Sequence, residues 1–313
     1  MSSFKKYFLY HFKKSALRQM LVCFLCVIFS IMQMSGLDEY YSPSGVAFIL
    51  GVLCSVIPIL ELSAFKNRRN LDSLFSLPVS RKKQALAHYL NGIIQISVAY
   101  TFSCALSLIQ LIAFNRGAII GYFVAYYFLS LIAGILIYSI FMFLFNQANT
   151  VIDGILFEIL GAFALFFAVQ AIRTVTDTLG NHPYATYSVF APIGSGGLYQ
   201  IVRNLSFSLG WSYIVMLSVW TLIGICAIFG YFYTFERKKV EAVGGISDAL
   251  FGYKMFIPVW AYSLVTMGLM EASIFVCISM LIGYIIYRRG FQFTKSDLFS
   301  MIMIIPFLAL WCV

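Results

Sequence analysis

An all-α polytopic membrane protein, with six core spans and about three further membrane helices, is the fold class the sequence predicts, and three observations carry it. Of the 313 residues, 61% are hydrophobic and only 11% are charged, whereas charged residues make up about a quarter of a soluble domain. The apolar residues fall in runs of about 16 to 28, and a hydrocarbon core about 30 Å thick needs about 20 residues of helix at 1.5 Å each. Strand-length alternation, the mark of a membrane barrel, is missing.

The first eighteen residues after the start, 2–19, combine Lys5, Lys6, Lys13, Lys14 and Arg18 with Phe4, Phe8 and Phe12. A basic, aromatic helix ahead of a span predicts an interfacial helix on the cytoplasmic surface. These residues are basic and aromatic for too long to be expected to act as a cleavable signal. A first span follows at about Met20 to Gly36, then an acidic outer loop at Asp38 and Glu39, then a second span at about Val46 to Ala64. Pro58 lies within that second span, where neighbouring helices can satisfy the backbone it frees.

Lys66 to Lys83 forms a polar island with six basic residues between two long apolar runs. Within it Leu71, Leu74 and Phe75 are spaced i, i+3, i+4, one face of a short helix that Asn70 can cap and Pro78 must end. A helix of about two turns is marginal by itself in water, so its apolar face is expected to lean on another protein. Arg81, Lys82 and Lys83 open the next helix, where the macrodipole disfavours cations, and anionic headgroups are the expected compensation.

The third and fourth spans are expected at about Ala85 to Phe114 and Ala118 to Phe145, joined by the turn Asn115 to Gly117. After a short inner loop, the fifth runs from about Gly154 to Ile172, and the sixth from about Trp211 to Phe235. The segment between them, Thr174 to Gly210, is broken by Pro183, Pro192 and Gly194 to Gly197, yet is rich in aromatic and aliphatic residues. Short helices partly inserted in the outer leaflet meet both constraints. Residues 255–287 would measure about 50 Å as one helix, so two short spans turning near Gly268 to Glu271 are expected. A last span starts near Leu298, and the natural chain is expected to continue past Val313.

This map places 18 of the 21 Lys and Arg residues inside, leaving only Arg116, Arg173 and Arg203 outside. Such asymmetry puts the amino terminus in the cytoplasm of a multi-pass protein of the cell membrane. The net charge of +9 is therefore topological, and no nucleic-acid partner is expected. Membrane lipids are.

Several chemistries lack their residues. No Gly-x4-Gly-Lys-Ser/Thr loop is present, so ATP phosphates need another chain. No Gly-x-Ser-x-Gly elbow supplies a nucleophile, and Ser195 has the wrong spacing for one. The cysteines (Cys23, Cys26, Cys54, Cys104, Cys226, Cys277, Cys312) all lie in apolar runs, which predicts packing without disulfides or zinc. His11, His88 and His182 stand far apart in sequence without paired carboxylates, which predicts no metal site. No catalytic residue is expected. Ionisable groups at membrane depth matter more, because each costs about 2.5 to 3.5 kcal/mol on insertion scales. Glu158, about one turn into the fifth span, with Gln170 and Arg173 further along it, is a candidate for a pathway or interhelical contact. Glu271 is expected at an outer turn, and Glu61 is expected to pair with the basic island.

With these residues in view, the chain resembles the permease subunit of bacterial type 2 exporter ABC transporters. The resemblance rests on the interfacial helix, two spans and the inner loop Asp72 to Arg81, reading Asp-Ser-Leu-Phe-Ser-Leu-Pro-Val-Ser-Arg. The broken outer segment 174–210 resembles that family's paired re-entrant helices, and Arg237 to Glu241 with Gly244 resembles the stretch after the sixth span. It implies a permease core over 1–254, with interfacial helix 2–19, coupling loop 64–83 and re-entrant segment 174–210, and additional helices over 255–313. It also implies that 66–78 is a coupling helix docking into a separate ATPase, through Asn70, Leu71, Asp72, Leu74, Phe75, Leu77, Pro78 and Arg81. The partners would be two ATPase copies and a second permease, same or different. ATP and magnesium would bind the ATPase, with no cofactor on this chain, and ATP-driven export or extraction of a substrate is the implied activity; the aromatic content of 18% suits an amphipathic cargo such as a peptide, drug or lipid. The alternative is a membrane sensor or scaffold that recruits a cytoplasmic partner without transport. An intramembrane enzyme ranks below both.

Overall fold

The computed structural model describes residues 3–32, 44–69, 76, 78–114, 117–177, 211–238, 240–247, 249–266 and 273–302. The described residues are helical with short connections and no strand, and the protein is an all-α polytopic membrane protein. The helices are α1 (Ser3–Met32), α2 (Ser44–Leu62), α3 (Arg81–Ala113), α4 (Gly117–Gln147), α5 (Val151–Asp177), α6 (Trp211–Arg237), α7 (Met255–Thr266) and α8 (Ser273–Arg288). Among the described residues, Gly45–Lys66, Arg81–Ala113, Ile120–Gln147 and Leu217–Arg237 are long and apolar enough to cross a membrane. Residues 2–19 and the first span were separate elements in the sequence reading; in the structure Ser3–Met32 is one helix. The segment 255–287 is broken as its length requires, into α7 and α8.

By their contacts the residues fall into two compact units, Met1–Phe143 with Phe190–Lys238, and Leu144–Val189 with Lys239–Val313. In the first, α1 and α2 both pack on α3, and α3 packs on α6. In the second, α5 packs on α7, and α7 on α8. Residues 144–189 thus group with the segment after 238, a pairing that gaps between apolar runs did not reveal.

The first unit is cemented by tyrosines. Tyr100, Tyr126, Tyr138 and Tyr231 are fully buried and their rings supply area, while tyrosine hydroxyls in this unit find partners. Tyr100 bonds Ser130 at 2.7 Å, Tyr89 bonds Ser139 at 2.7 Å, and Tyr231 donates to the Ala85 carbonyl at 3.3 Å. In hydrocarbon such bonds replace the water that would otherwise satisfy these groups. Part of the high aromatic content, which suggested an amphipathic cargo, is therefore spent on helix packing. Gly92 is what lets α3 approach α4, since a Cβ there would lie 2.6 Å from Cζ of Tyr138.

In the second unit, the polar stretch after α6 is pinned to the end of α4. Gly244 donates to the Asn149 carbonyl at 3.0 Å, Asn149 to the Ile246 carbonyl at 3.1 Å, and Ser247 to the Gln147 carbonyl at 2.7 Å. Gly244 turns with φ 83°, a conformation that costs glycine little.

Candidate functional site

Three helices of the first unit converge on one carboxylate. Glu61, one residue from the end of α2, has no exposed side-chain surface. Along α1, Tyr7, His11, Ser15 and Arg18 follow at i, i+4, i+8 and i+11, and along α3, Gln84, His88, Asn91 and Gln95 do the same at i, i+4, i+7 and i+11. Both stripes are single helical faces, and residues from both reach Glu61.

Its two oxygens divide the work. Oε1 accepts from Asn91 Nδ2 at 2.9 Å, from Gln95 Nε2 at 2.7 Å and from the Arg18 guanidinium. Oε2 meets His11 Nε2 at 2.8 Å and His88 Nδ1 at 3.0 Å. An outer layer holds these groups. Tyr7 Oη bonds His88 Nε2 at 3.0 Å, Arg18 donates to the Leu60 carbonyl at 2.9 Å, and Asn91 donates to Ser15 Oγ at 3.2 Å. Phe65 closes over His88 edge-on with centroids 4.9 Å apart. A buried carboxylate is tolerated only when a partner charge and hydrogen bonds replace its hydration, and here five donors do so.

This cluster corrects two expectations. His11 and His88, judged too far apart in sequence to act together, have ring centroids 4.0 Å apart. Glu61, expected to pair with the basic island, pairs instead with Arg18 and the two imidazoles. The signal that could have found the cluster was the polar stripe at helical spacing within α3, an otherwise apolar helix. On α1, the phenylalanines of the expected interfacial helix stack on each other, Phe4 on Phe8 at 6.1 Å and Phe8 on Phe12 at 6.2 Å.

The sequence-predicted coupling residues fare differently. Asn70, Leu71, Asp72, Leu74, Phe75 and Leu77 lie outside the described residues, and Pro78 is exposed. Arg81 opens α3, where the helix dipole disfavours it, yet it donates to the carbonyls of Glu236 at 3.3 Å and Lys238 at 2.7 Å. Those carbonyls end α6, and a cation at a helix carboxyl end is favoured by roughly 0.3 to 1 kcal/mol. Lys82 lies 3.3 Å from the Glu236 carboxylate. Protein groups thus meet two of the three cations for which headgroups were the expected compensation.

In the second unit Glu158 on α5 is 4% exposed, and its Oε1 has no hydrogen-bond partner among the described residues. Gln170 and Arg173 share its helix, but their side chains lie outside the description, as do residues 178–210 of the broken outer segment. Nearer the amino end of α5, Asp153 accepts from Tyr253 at 2.9 Å and faces Arg289 at 3.4 Å. Beyond α8, Arg288 holds Asp297 at 2.8 Å. Burial by itself would raise the Asp297 carboxyl, but Arg288 and the Thr294 backbone N–H outweigh it, leaving it below the usual carboxylate range.

These features define a helical, multi-pass membrane subunit whose polar groups join helices. A family model described as ABC-2 family transporter protein matches residues 8–206. The match covers well over half of the chain, and the chain belongs to that family: it is an ABC-2 type permease, the membrane component of an ABC transporter. Such permeases generally work with an ATPase subunit. No curated protein and no solved structure matches the chain.

Proposed function

We propose that this permease couples a separate cytoplasmic ATPase to the export of an amphipathic substrate, a peptide, drug or lipid, across the cell membrane. Two ATPase subunits and two permeases, alike or different, make up the transporter, with ATP and magnesium held by the ATPases. The amino terminus and the island 66–83 face the cytoplasm, consistent with the 18 to 3 distribution of basic residues. The observation that carries the reading is the Arg81 clamp on the carboxyl end of α6. It joins the base of the island to α3 and α6 together, so a push on the island is delivered to two membrane helices. Closure of the ATPase dimer supplies that push in a two-state cycle.

The test is reconstitution with the ATPase in liposomes. ATP turnover is expected to rise when the permease is present and to return to the level of the ATPase alone when residues 70–77 are replaced by a glycine–serine linker. Binding without any rise in turnover supports the sensor or scaffold instead.

Glu158 is assigned to the substrate path or to a contact between helices. A buried carboxyl oxygen without a partner is costly and persists where it has a use. Glu158→Gln keeps the shape and removes the ionisable proton. ATP-driven flux of a fluorescent amphipathic probe should fall by roughly tenfold or more, the weight of one hydrogen bond to a charged group. Unchanged flux removes Glu158 from the path.

A further inference from the structure

We propose that His11, Glu61 and His88 form a binding site for a single divalent transition-metal cation, with zinc the best fit to two imidazoles and one carboxylate. The donor atoms of the three residues all lie within 4.8 Å of one another. Oε2 of Glu61 sits 2.8 Å from His11 Nε2 and 3.0 Å from His88 Nδ1, so both imidazoles bring a nitrogen to the same carboxylate oxygen. The ligands come from α1, α2 and α3, and a cation there would bind these helices to one another.

The surroundings have the order of an outer coordination shell. Metal-bound imidazoles commonly engage their second nitrogen with a fixed partner, and ligating carboxylates are themselves hydrogen-bonded. His88 meets Tyr7 Oη through Nε2 at 3.0 Å, and Glu61 has its other oxygen held by Asn91, Gln95 and Arg18. Gln95 adds a second observation. Its amide nitrogen is spent on Glu61, while its Oε1, in a side chain 1% exposed, is buried without a partner among the described residues.

Binding requires a change of tautomer and the opening of the two hydrogen bonds from the imidazoles to Glu61, so that the cation enters between the donor atoms. In the metal-free cluster His11 Nε2–H and His88 Nδ1–H donate to the carboxylate, and Tyr7 donates to His88 Nε2. With the cation in place each imidazole moves its proton to the opposite nitrogen, and Tyr7 turns to accept from His88. No proton leaves. The opposing force is Arg18, whose charge already balances Glu61, so the cation enters against one fixed positive charge. That opposition makes Arg18 a diagnostic residue.

The experiment uses the full chain in detergent, stripped by chelator and titrated with zinc alone. The thiols exposed among the described residues are removed by Cys226→Ser and Cys277→Ser in every sample. One zinc per chain is expected. The double variant His11→Gln with His88→Gln keeps an amide donor at each position but removes both imidazoles, and should bind at least about 100-fold more weakly, beyond what loss of an outer-shell partner costs. Arg18→Gln leaves Asn91 and Gln95 on Oε1 and removes the competing charge, so it should tighten binding by about tenfold. X-ray absorption should show two imidazole nitrogens at about 2.0 to 2.1 Å. Equal uptake by the double variant, loss of binding in Arg18→Gln, sulfur ligation, or no uptake by the parent would each overturn the assignment, leaving the cluster a hydrogen-bonded junction.

Discussion

Aspartate at both Leu74 and Phe75 is expected to abolish association of this permease with its ATPase while leaving the permease in the membrane. The two residues supply most of the apolar face that the island's spacing creates, with Leu71 completing it. Burial of a leucine or phenylalanine side chain at an interface contributes about 1.5 to 3 kcal/mol. Losing two such contacts weakens binding by roughly 10² to 10⁴-fold, before the cost of bringing two carboxylates against the partner is counted. Membrane insertion depends on the flanking apolar runs, which the substitutions do not touch. Both quantities can be read from one preparation: the permease in the membrane fraction, and the ATPase retained on an affinity-tagged permease. Undiminished retention of the ATPase would refute docking through this face, even if transport were lost for another reason.

The spans were legible in sequence because the bilayer leaves so few solutions. A run such as Ala118 to Phe145, with no charge inside it, has to be a helix of membrane length, and the structure gives Gly117–Gln147. The length of 255–287 likewise forced a break, and Met255–Thr266 and Ser273–Arg288 are separate helices. The Glu61 cluster was hidden for a different reason. Its members are 27 residues apart between Glu61 and His88 and 50 apart between His11 and Glu61, and each lies near a span end, where a polar residue has an adequate explanation in topology. His11 and Arg18 could be assigned to the interface one at a time. Only the joint stripe of Gln84, His88, Asn91 and Gln95, four polar residues on one face of a membrane helix, demanded a partner of opposite character. The grouping of residues 144–189 with the carboxyl-terminal segment was hidden because it depends on which apolar faces match, and apolar faces of similar composition give no address.

Glu61→Ala is expected to be the most destabilising single substitution in the first unit. Removing one member of a buried ion pair costs about 3 to 5 kcal/mol, because the partner charge remains in a site built to oppose it. Arg18 would keep its bond to the Leu60 carbonyl but lose its counter-ion, and Asn91, Gln95, His11 and His88 would each lose an acceptor. These donors belong to α1 and α3, so the loss falls on the junction that holds both helices to α2. Thermal unfolding in detergent with chelator present, which keeps any bound cation out of the comparison, should show the midpoint lowered by roughly 6 °C or more. Asn91→Ala removes one neutral donor and leaves the ion pair, and should cost only about 1 kcal/mol. If the two variants unfold at the same temperature, the charge on Glu61 is not what holds α1 in place, and the other contacts of α1 with α3, Tyr7 against His88 and Gln19 on the Gln95 carbonyl, must carry that load instead.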